Sequence, residues 1–425
     1  ALEGAIMIEK EDLSAHITMN MGTQYACMGN FNEADRCYKA ALKVFEELNR
    51  EKPGAHEYSI AMTHLNMGYI YRQLGQLDTA EKHYEIALKI YEKLAKENPD
   101  KYEIYVSMVH LNLGVLYWSL RRFIKAEKHY KIALEIRKKL ARTGLEIYKH
   151  YLAMVYLDMG VLYMDLGRLN DAEKHYKMAL EIYEKLTIER PQVYDFYIAA
   201  AYLNLALVYR KMNKIREAKK HLEASLEIRI RLARDNPEAH EPYLAMGYLD
   251  MGNIYNELKE FENAEACYSL AFKIYERLSK TKSKAYLASA TIALSNLIKL
   301  LIETGRIDKA KMLIPWIMES VGKLNIYNPA VIFGYHVIGY WYESIRDFNK
   351  ALEYYEKEAL SLFRILFSLP SRIDAQINAF LGSASFVRFG ECAIKAIKGA
   401  SKEERISIIK RVLNLFERVK IIELM

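Results

Sequence analysis

Residues 101–142 read KYEIYVSMVHLNLGVLYWSLRRFIKAEKHYKIALEIRKKLAR. Apolar side chains recur at three- and four-residue spacing through Met108, Leu111, Leu113, Leu116 and Tyr117. The pattern breaks at Leu120–Arg122 and resumes through Phe123, Ala126, Tyr130, Ala133, Leu134 and Leu140. That rhythm predicts two amphipathic helices, A and B, joined by a tight turn. The stretch is one copy of many. Gly114 has counterparts at Gly22, Gly68, Gly160, Ala206 and Gly252, each 46 residues from the next. Tyr117 recurs as Tyr25, Tyr71, Tyr163, Tyr209 and Tyr255, and Ala126 as Ala34, Ala80, Ala172, Ala218 and Ala264. Tyr130 recurs as Tyr38, Tyr84, Tyr176 and Tyr268, with Leu222 the exception. A repeat of this period predicts an all-α solenoid in which each unit buries its apolar face only by stacking on its neighbours.

Prolines mark the joints between units at Pro53, Pro99, Pro191 and Pro237, with Leu145 after Gly144 at the one place that lacks one. Proline there ends one helix and opens the next. Six units from about residue 11 to residue 280 keep register, and residues 281–370 read as two degenerate units. In the first of these Ile298 and Leu301 replace the glycine and tyrosine, and Pro315 predicts a kink in its helix B. The second returns at Gly339, Tyr342, Ala351 and Tyr355, and residues 371–425 read as capping helices over 371–397 and 402–423. Leu2 is in phase with Leu48, Leu94 and Leu140, which predicts that residues 1–10 are the tail of a preceding helix or an N-cap. A fragment of a longer protein is the expectation that follows.

The pattern L-G-x-x-Y followed by A-x-x-x-Y resembles the tetratricopeptide repeat, and the endings Ala87 to Leu94 and Ala179 to Leu186 resemble the long-unit branch containing kinesin light chains. The resemblance implies a right-handed superhelix of about eight or nine hairpins with a concave groove. The family's usual unit is 34 residues, so the 12 extra here lie between the Ala and the next Gly. Shared between both helices, they add ~9 Å to each at 1.5 Å per residue.

Composition fits a folded, helix-rich chain: of 425 residues 52% are hydrophobic and 27% charged, with a net charge of only +7. The four cysteines show no metal spacing, and the expectation is reduced thiols in a cytoplasmic protein. No uninterrupted apolar stretch approaches a membrane span and no signal peptide opens the chain. No nucleotide loop, zincin helix or nucleophile elbow occurs, so neither catalysis nor a cofactor has a candidate residue. His83, His129, His175 and His221 repeat at 46, and read as copied surface positions, since successive units stay too far apart to share a metal. Residues 121–142 carry nine Lys or Arg against two Glu. They read as a solvated outer face, and nucleic acid is disfavoured because no aromatics interleave with the charges.

The candidate binding surface is a ladder two residues before each small residue: Asn20, Asn66, Asn112, Asp158, Asn204, Asp250 and Asn296. In the resembled family that face of helix A lines the groove. Asn offers a donor and an acceptor to a peptide backbone, which an extended segment presents at ~3.3 Å per residue. The same residues also satisfy a purely structural reading, as repeat grammar bonding within the helix. Asp158 and Asp250 cannot donate, which predicts selective or interrupted rungs. Specificity falls to neighbouring positions that vary: Tyr69, Arg72, Trp118, Arg210, Lys211 and Asn253, with Met62, Met108 and Met154 as an adaptable floor. The favoured function is a non-enzymatic scaffold binding a protein or peptide partner. Alternatives are a ligand-sensing module of a larger signalling protein such as a regulatory ATPase, and a homo-oligomer formed through the apolar C-terminal helix (Ile408, Ile409, Val412, Leu413, Phe416, Val419, Ile422).

Overall fold

The computed structural model describes residues 2–190, 192–283, 285–367, 384–398 and 400–423. Pro191 and the first part of the 371–397 segment lie outside the described residues, as do the side chains of Leu413, Phe416, Val419 and Ile422. The chain divides into two compact units, Ala1–Asn213 and Lys214–Met425. All regular structure among the described residues is helical.

The first compact unit contains α1 (Leu2–Cys27), α2 (Phe31–Glu51), α3 (Glu57–Gln73), α4 (Leu77–Glu97), α5 (Pro99–Ser119), α6 (Phe123–Ala141), α7 (Glu146–Asp165), α8 (Leu169–Glu189) and α9 (Asp195–Lys211). Odd-numbered helices are the A helices and even-numbered ones the B helices, and each packs on the next in sequence. The expected separate tail at the N-terminus is not seen: α1 runs unbroken from Leu2 through the first A helix.

Three devices recurring at 46 residues build this stack. The first is a close approach inside each hairpin. A Cβ placed on Gly68, Gly114 or Gly160 would stand 2.4–2.5 Å from the Cε1 of Tyr84, Tyr130 or Tyr176, so only glycine lets that ring lie flat across helix A. The second joins hairpins. The hydroxyls of Tyr71, Tyr117, Tyr163 and Tyr209 donate to Asp35, Glu81, Glu127 and Glu173 of the preceding B helix at 2.6, 2.5, 3.1 and 2.7 Å. The third is the A–B turn. Gly29, Gly75, Arg121, Gly167 and Asn213 all have positive φ, and a backbone bond such as Gln76 N–H to Tyr71 C=O (2.9 Å) closes the helix end. Where proline starts a helix at Pro99, Asn98 caps it by accepting from Lys101 N–H at 3.2 Å.

The second compact unit contains α10 (Ile215–Asp235), α11 (Pro237–Glu257), α12 (Phe261–Thr281), α13 (Ala285–Glu303), α14 (Ile307–Lys323), α15 (Ala330–Ser344), α16 (Phe348–Phe367), α17 (Ala384–Lys398) and α18 (Lys402–Glu423). The glycine–tyrosine device persists at Gly252–Tyr268 and returns at Gly339–Tyr355. Pro315 sits inside α14, which is one continuous helix from Ile307 to Lys323. One correction concerns α13. At 19 residues it is long and apolar enough to cross a membrane, although the chain shows no uninterrupted apolar run of that length. The physical reason lies in packing. α13 contacts α12, α14 and α15, and Leu294, Leu297, Ile298, Leu300 and Leu301 are buried in their shared core. At the C-terminal end α17 packs on α16, where the buried carboxylate of Glu358 accepts from Ser385 Oγ at 2.7 Å. Ile408 is buried in the core that α18 shares with α16 and α17, while Ile409 is exposed.

Candidate functional site: the ladder face of the A helices

In the first compact unit α3 touches α5, α5 touches α7 and α7 touches α9, so successive rungs sit on neighbouring helices. Asn20 is exposed, and Asn66, Asn112, Asp158 and Asn204 are half-buried. Asn112 donates from Nδ2 to the Met108 carbonyl at 3.0 Å, inside its own helical turn. The side chains of Asn20, Asn66 and Asn204 form no hydrogen bond among the described residues. In the second compact unit Asn296 donates to Oδ1 of Asn253 at 3.2 Å, and the same oxygen accepts from the Tyr268 hydroxyl at 2.9 Å. Those two amides are tied to one another rather than presented singly.

The Asp rungs have a cause the sequence reading passed over. Twenty-one positions before Asn66, Asn112 and Asn204 stand Phe45, Tyr91 and Tyr183, whereas before Asp158 and Asp250 stand Arg137 and Arg229. Both arginines are buried, at 2% and 5% exposure. Arg137 donates from Nε to Ser107 Oγ (3.2 Å) and from Nη1 to the Tyr151 carbonyl (2.7 Å). Arg229 repeats the second bond with the Tyr243 carbonyl (2.5 Å), while its Nε donates to Ser225 Oγ of its own helix (3.1 Å). A buried guanidinium needs an opposite charge nearby, and Asp158 and Asp250 act on Arg137 and Arg229 respectively. Burial dominates at Asp158 and pushes its carboxyl up to about 7, against the pull of Arg137. Each Asp rung therefore carries the charge opposite to a core arginine within its electrostatic reach. Arg137 is also a correction to the solvated basic face expected of residues 121–142. Its neighbours Arg121, Arg122, Lys125, Lys128, Lys131, Lys139 and Arg142 are exposed, but Arg137 points inward.

Around the ladder, Tyr69 is 40% exposed with the Arg72 guanidinium 5.5 Å over its ring. Trp118 is half-buried, and its Nε1 donates to Asp165 of the next hairpin at 2.7 Å, so it bridges hairpins. Arg210 is half-buried and Lys211 exposed at the end of α9. Met62, Met108 and Met154 are half-buried, as a floor requires. The repeating histidines are not surface copies. His83 and His129 turn inward to meet the buried His64 and His110, Nδ1 to Nδ1, at 2.8 and 2.9 Å. Burial lowers His64 and His110 to about 4, so each pair is neutral and shares one N–H. His175 instead packs edge-on against Tyr156 and tilted against Tyr163. No group of three or more His, Cys, Asp or Glu among the described residues could hold a metal ion.

Comparison with known proteins places this architecture. Tetratricopeptide-repeat family models match residues 59–139 and 104–185, 198–238, and 247–277. No curated protein matches the chain. Among solved structures, the apo form of the quorum sensor NprR from B. thuringiensis superposes with a TM-score of 0.57 at 15% identity, over 95% of this chain and 99% of that one. The apo form of RapI gives 0.49 at 17% identity, over 72% and 97%. BtubC (BKLC) from P. vanneervenii gives 0.47 at 22% identity, over 64% and 92%. The repeat models, the glycine–tyrosine hairpins and the full-length NprR superposition agree. Residues 59–185, 198–238 and 247–277 are tetratricopeptide repeats, set in a stack of helical hairpins whose unit is 46 residues.

Proposed function

We propose that the ladder face of the first compact unit holds an extended segment of a protein partner. The observation that carries this is the state of the amides. Asn66 on α3 and Asn204 on α9, with α5 and α7 between them, are half-buried, each with a side-chain donor and acceptor that no described residue satisfies. A repeat that needed its asparagines only for itself would bond them, as it does at Asn112 and at Asn253–Asn296. A bound backbone offers the missing N–H and C=O groups in alternation. Tyr69 and the methionine floor supply apolar contact, and Arg72 supplies charge. The likeness to NprR supports the fold and leaves the ligand open.

The test is the triple substitution N66A/N112A/N204A in the full chain, assayed against the partner recovered from the source cell. Affinity is expected to fall at least tenfold, with thermal stability nearly unchanged. Loss of stability without loss of binding identifies the amides as structural and removes the proposal.

A further inference from the structure

In the second compact unit the seventh hairpin, α13–α14, departs from the others at its open end, and a cavity of about 810 Å³ lies there. Glu276 and Lys280 of α12, Leu287 of α13, Trp316 and Lys323 of α14, and Leu324 just beyond it line the space. Small-molecule sites run to ~300–1,000 Å³. Two departures from the 46-residue register meet at this point. The first is a lost carboxylate. In the second, third and sixth hairpins an ion pair clasps helix B to the start of helix A: Lys93 to Glu57 at 2.5 Å, Lys139 to Glu103 at 2.7 Å and Arg277 to Glu241 at 2.5 Å. In the fourth, Lys149 stands at the acidic place, and the clasp moves to Arg190 and Glu146 at 3.0 Å. Lys323 and Leu287 stand 46 residues on from Arg277 and Glu241, so here the cation meets a half-buried leucine. Lys323 pairs instead with the exposed Glu319 of its own helix, at 2.5 Å. The second departure is an early helix end. α14 stops at Lys323, four residues short of the place equivalent to Thr281, where α12 stops. Leu324 therefore leaves in extended conformation, φ −80° and ψ 149°, and is half-buried. Its counterparts Leu94, Leu186 and Leu278 are 7%, 1% and 1% exposed. Trp316 is held in place beside this space. Its Nε1 donates to Glu276 at 3.1 Å, and its ring meets Phe272 edge-on at 5.0 Å.

We infer that this cavity binds a small aromatic carboxylate, its ring against Trp316, Leu287 and Leu324 and its carboxylate on Lys323. The ligand restores the acid that helix A supplies in the regular hairpins and fills the space that the leucine and the early helix end leave. An indole fixed by a hydrogen bond and an edge contact offers a rigid wall, which suits a flat ring better than a flexible chain. A cation would meet the ammonium groups of Lys280 and Lys323, whose carboxylates, Glu276 and Glu319, are already engaged. A dianion would need a second cation, and Lys280 is tied to Glu276 at 2.8 Å. The site is separate from the ladder. Leu287 stands nine residues before Asn296, about two and a half turns along α13 and so on the opposite side of that helix. The inference therefore does not rest on the segment-binding proposal.

The test follows the indole N–H signals of the full chain, isotope-labelled at tryptophan, with Trp316 assigned by its loss in W316F. The probe is 2-naphthoate. Its uncharged counterpart 2-naphthamide isolates the charge, and octanoate replaces the ring by a chain. The expected result is a saturable shift of the Trp316 signal with 2-naphthoate while Trp118 and Trp341 stay in place, and at least fivefold weaker binding of the amide and of octanoate. L287E rebuilds the clasp of the regular hairpins and is expected to weaken 2-naphthoate at least tenfold. K323Q, which leaves the walls intact, is expected to bring 2-naphthoate down to the level of the amide. Absence of a saturable Trp316 shift, equal or tighter binding of the amide or of octanoate, or unchanged 2-naphthoate affinity in either variant overturns the assignment.

Discussion

The third hairpin, α5–α6, and the fourth, α7–α8, share one design over differing sequences. Both have the glycine under the tyrosine ring, Gly114–Tyr130 and Gly160–Tyr176, and both are stapled backward by a tyrosine hydroxyl, Tyr117 and Tyr163. The rung is Asn112 in one and Asp158 in the other. The difference follows the core, because 21 positions before Asn112 stands the buried Tyr91 and 21 before Asp158 the buried Arg137, within electrostatic reach of it. What the exchange teaches is that the exposed chemistry of such a groove is coupled to the core residue behind it. Comparing rungs alone would misread a counter-ion as a specificity element.

The strongest way to break that comparison is to make the fourth rung like the third. R137Y leaves Asp158 half-buried without its cation, and removing one partner of a buried pair costs about 3–4 kcal/mol. D158N strands Arg137 and is expected to cost somewhat less. R137Y/D158N recreates the aromatic–asparagine pairing and is expected to recover most of the loss in a denaturant double-mutant cycle. Simple addition of the two losses contradicts the pairing. Next in size are G114A and G160A, which drive a Cβ to 2.4 Å from a buried ring in both hairpins. Each is expected to cost about 3 kcal/mol by overpacking, with Y130L relieving G114A. The sequence makes the same paired change at Ala206 and Leu222. Unequal costs for the two glycines would mean the hairpins are not equivalent in their packing.

A third exchange concerns protons. The third hairpin has His110 against His129, where the fourth has Tyr156 against His175. His110 in the fold is lowered to about 4, below its unfolded value near 6.5. Its neutral form therefore contributes fully above pH 6.5, and that contribution is lost as pH falls through 6.5 toward 4. H110Y is expected to flatten this acid limb by on the order of 2 kcal/mol, read as unfolding free energy against pH. An unchanged limb places the acid sensitivity elsewhere. The smallest effect is at the turn. Arg121 has φ 54° where Gly167 has 70°, so R121G is expected to stabilise by about 0.5–1 kcal/mol. A loss of stability would show that the Arg121 side chain contributes more than its backbone strain costs.

Much of this was open to reading before any coordinates. The 46-residue register of Gly114, Tyr117, Ala126 and Tyr130 carries the hairpins, because period and residue size are written directly in the chain. The start of helix A at Pro99 and the turn at Gly75 and Gly167 were equally legible. What escaped depends on which side of a helix faces a neighbour. Arg137 was counted with the surface cations because charge is normally solvated, although its 21-residue offset to Asp158, repeated at Arg229 and Asp250, was visible. The repeating histidines read as surface positions because their buried partners, His64 and His110, sit at a different place in the repeat. Trp118 could be placed near the groove, but its bond to Asp165 depends on how one hairpin leans on the next.

The most direct test of the account installs a photo-crosslinking amino acid at Tyr69, on the ladder face, and separately at Ile124, which is 89% exposed on a B helix of the same stack. The partner is expected to crosslink from position 69 and not from 124. Capture from 124, with none from 69, contradicts the assignment of the A-helix face as the surface that binds.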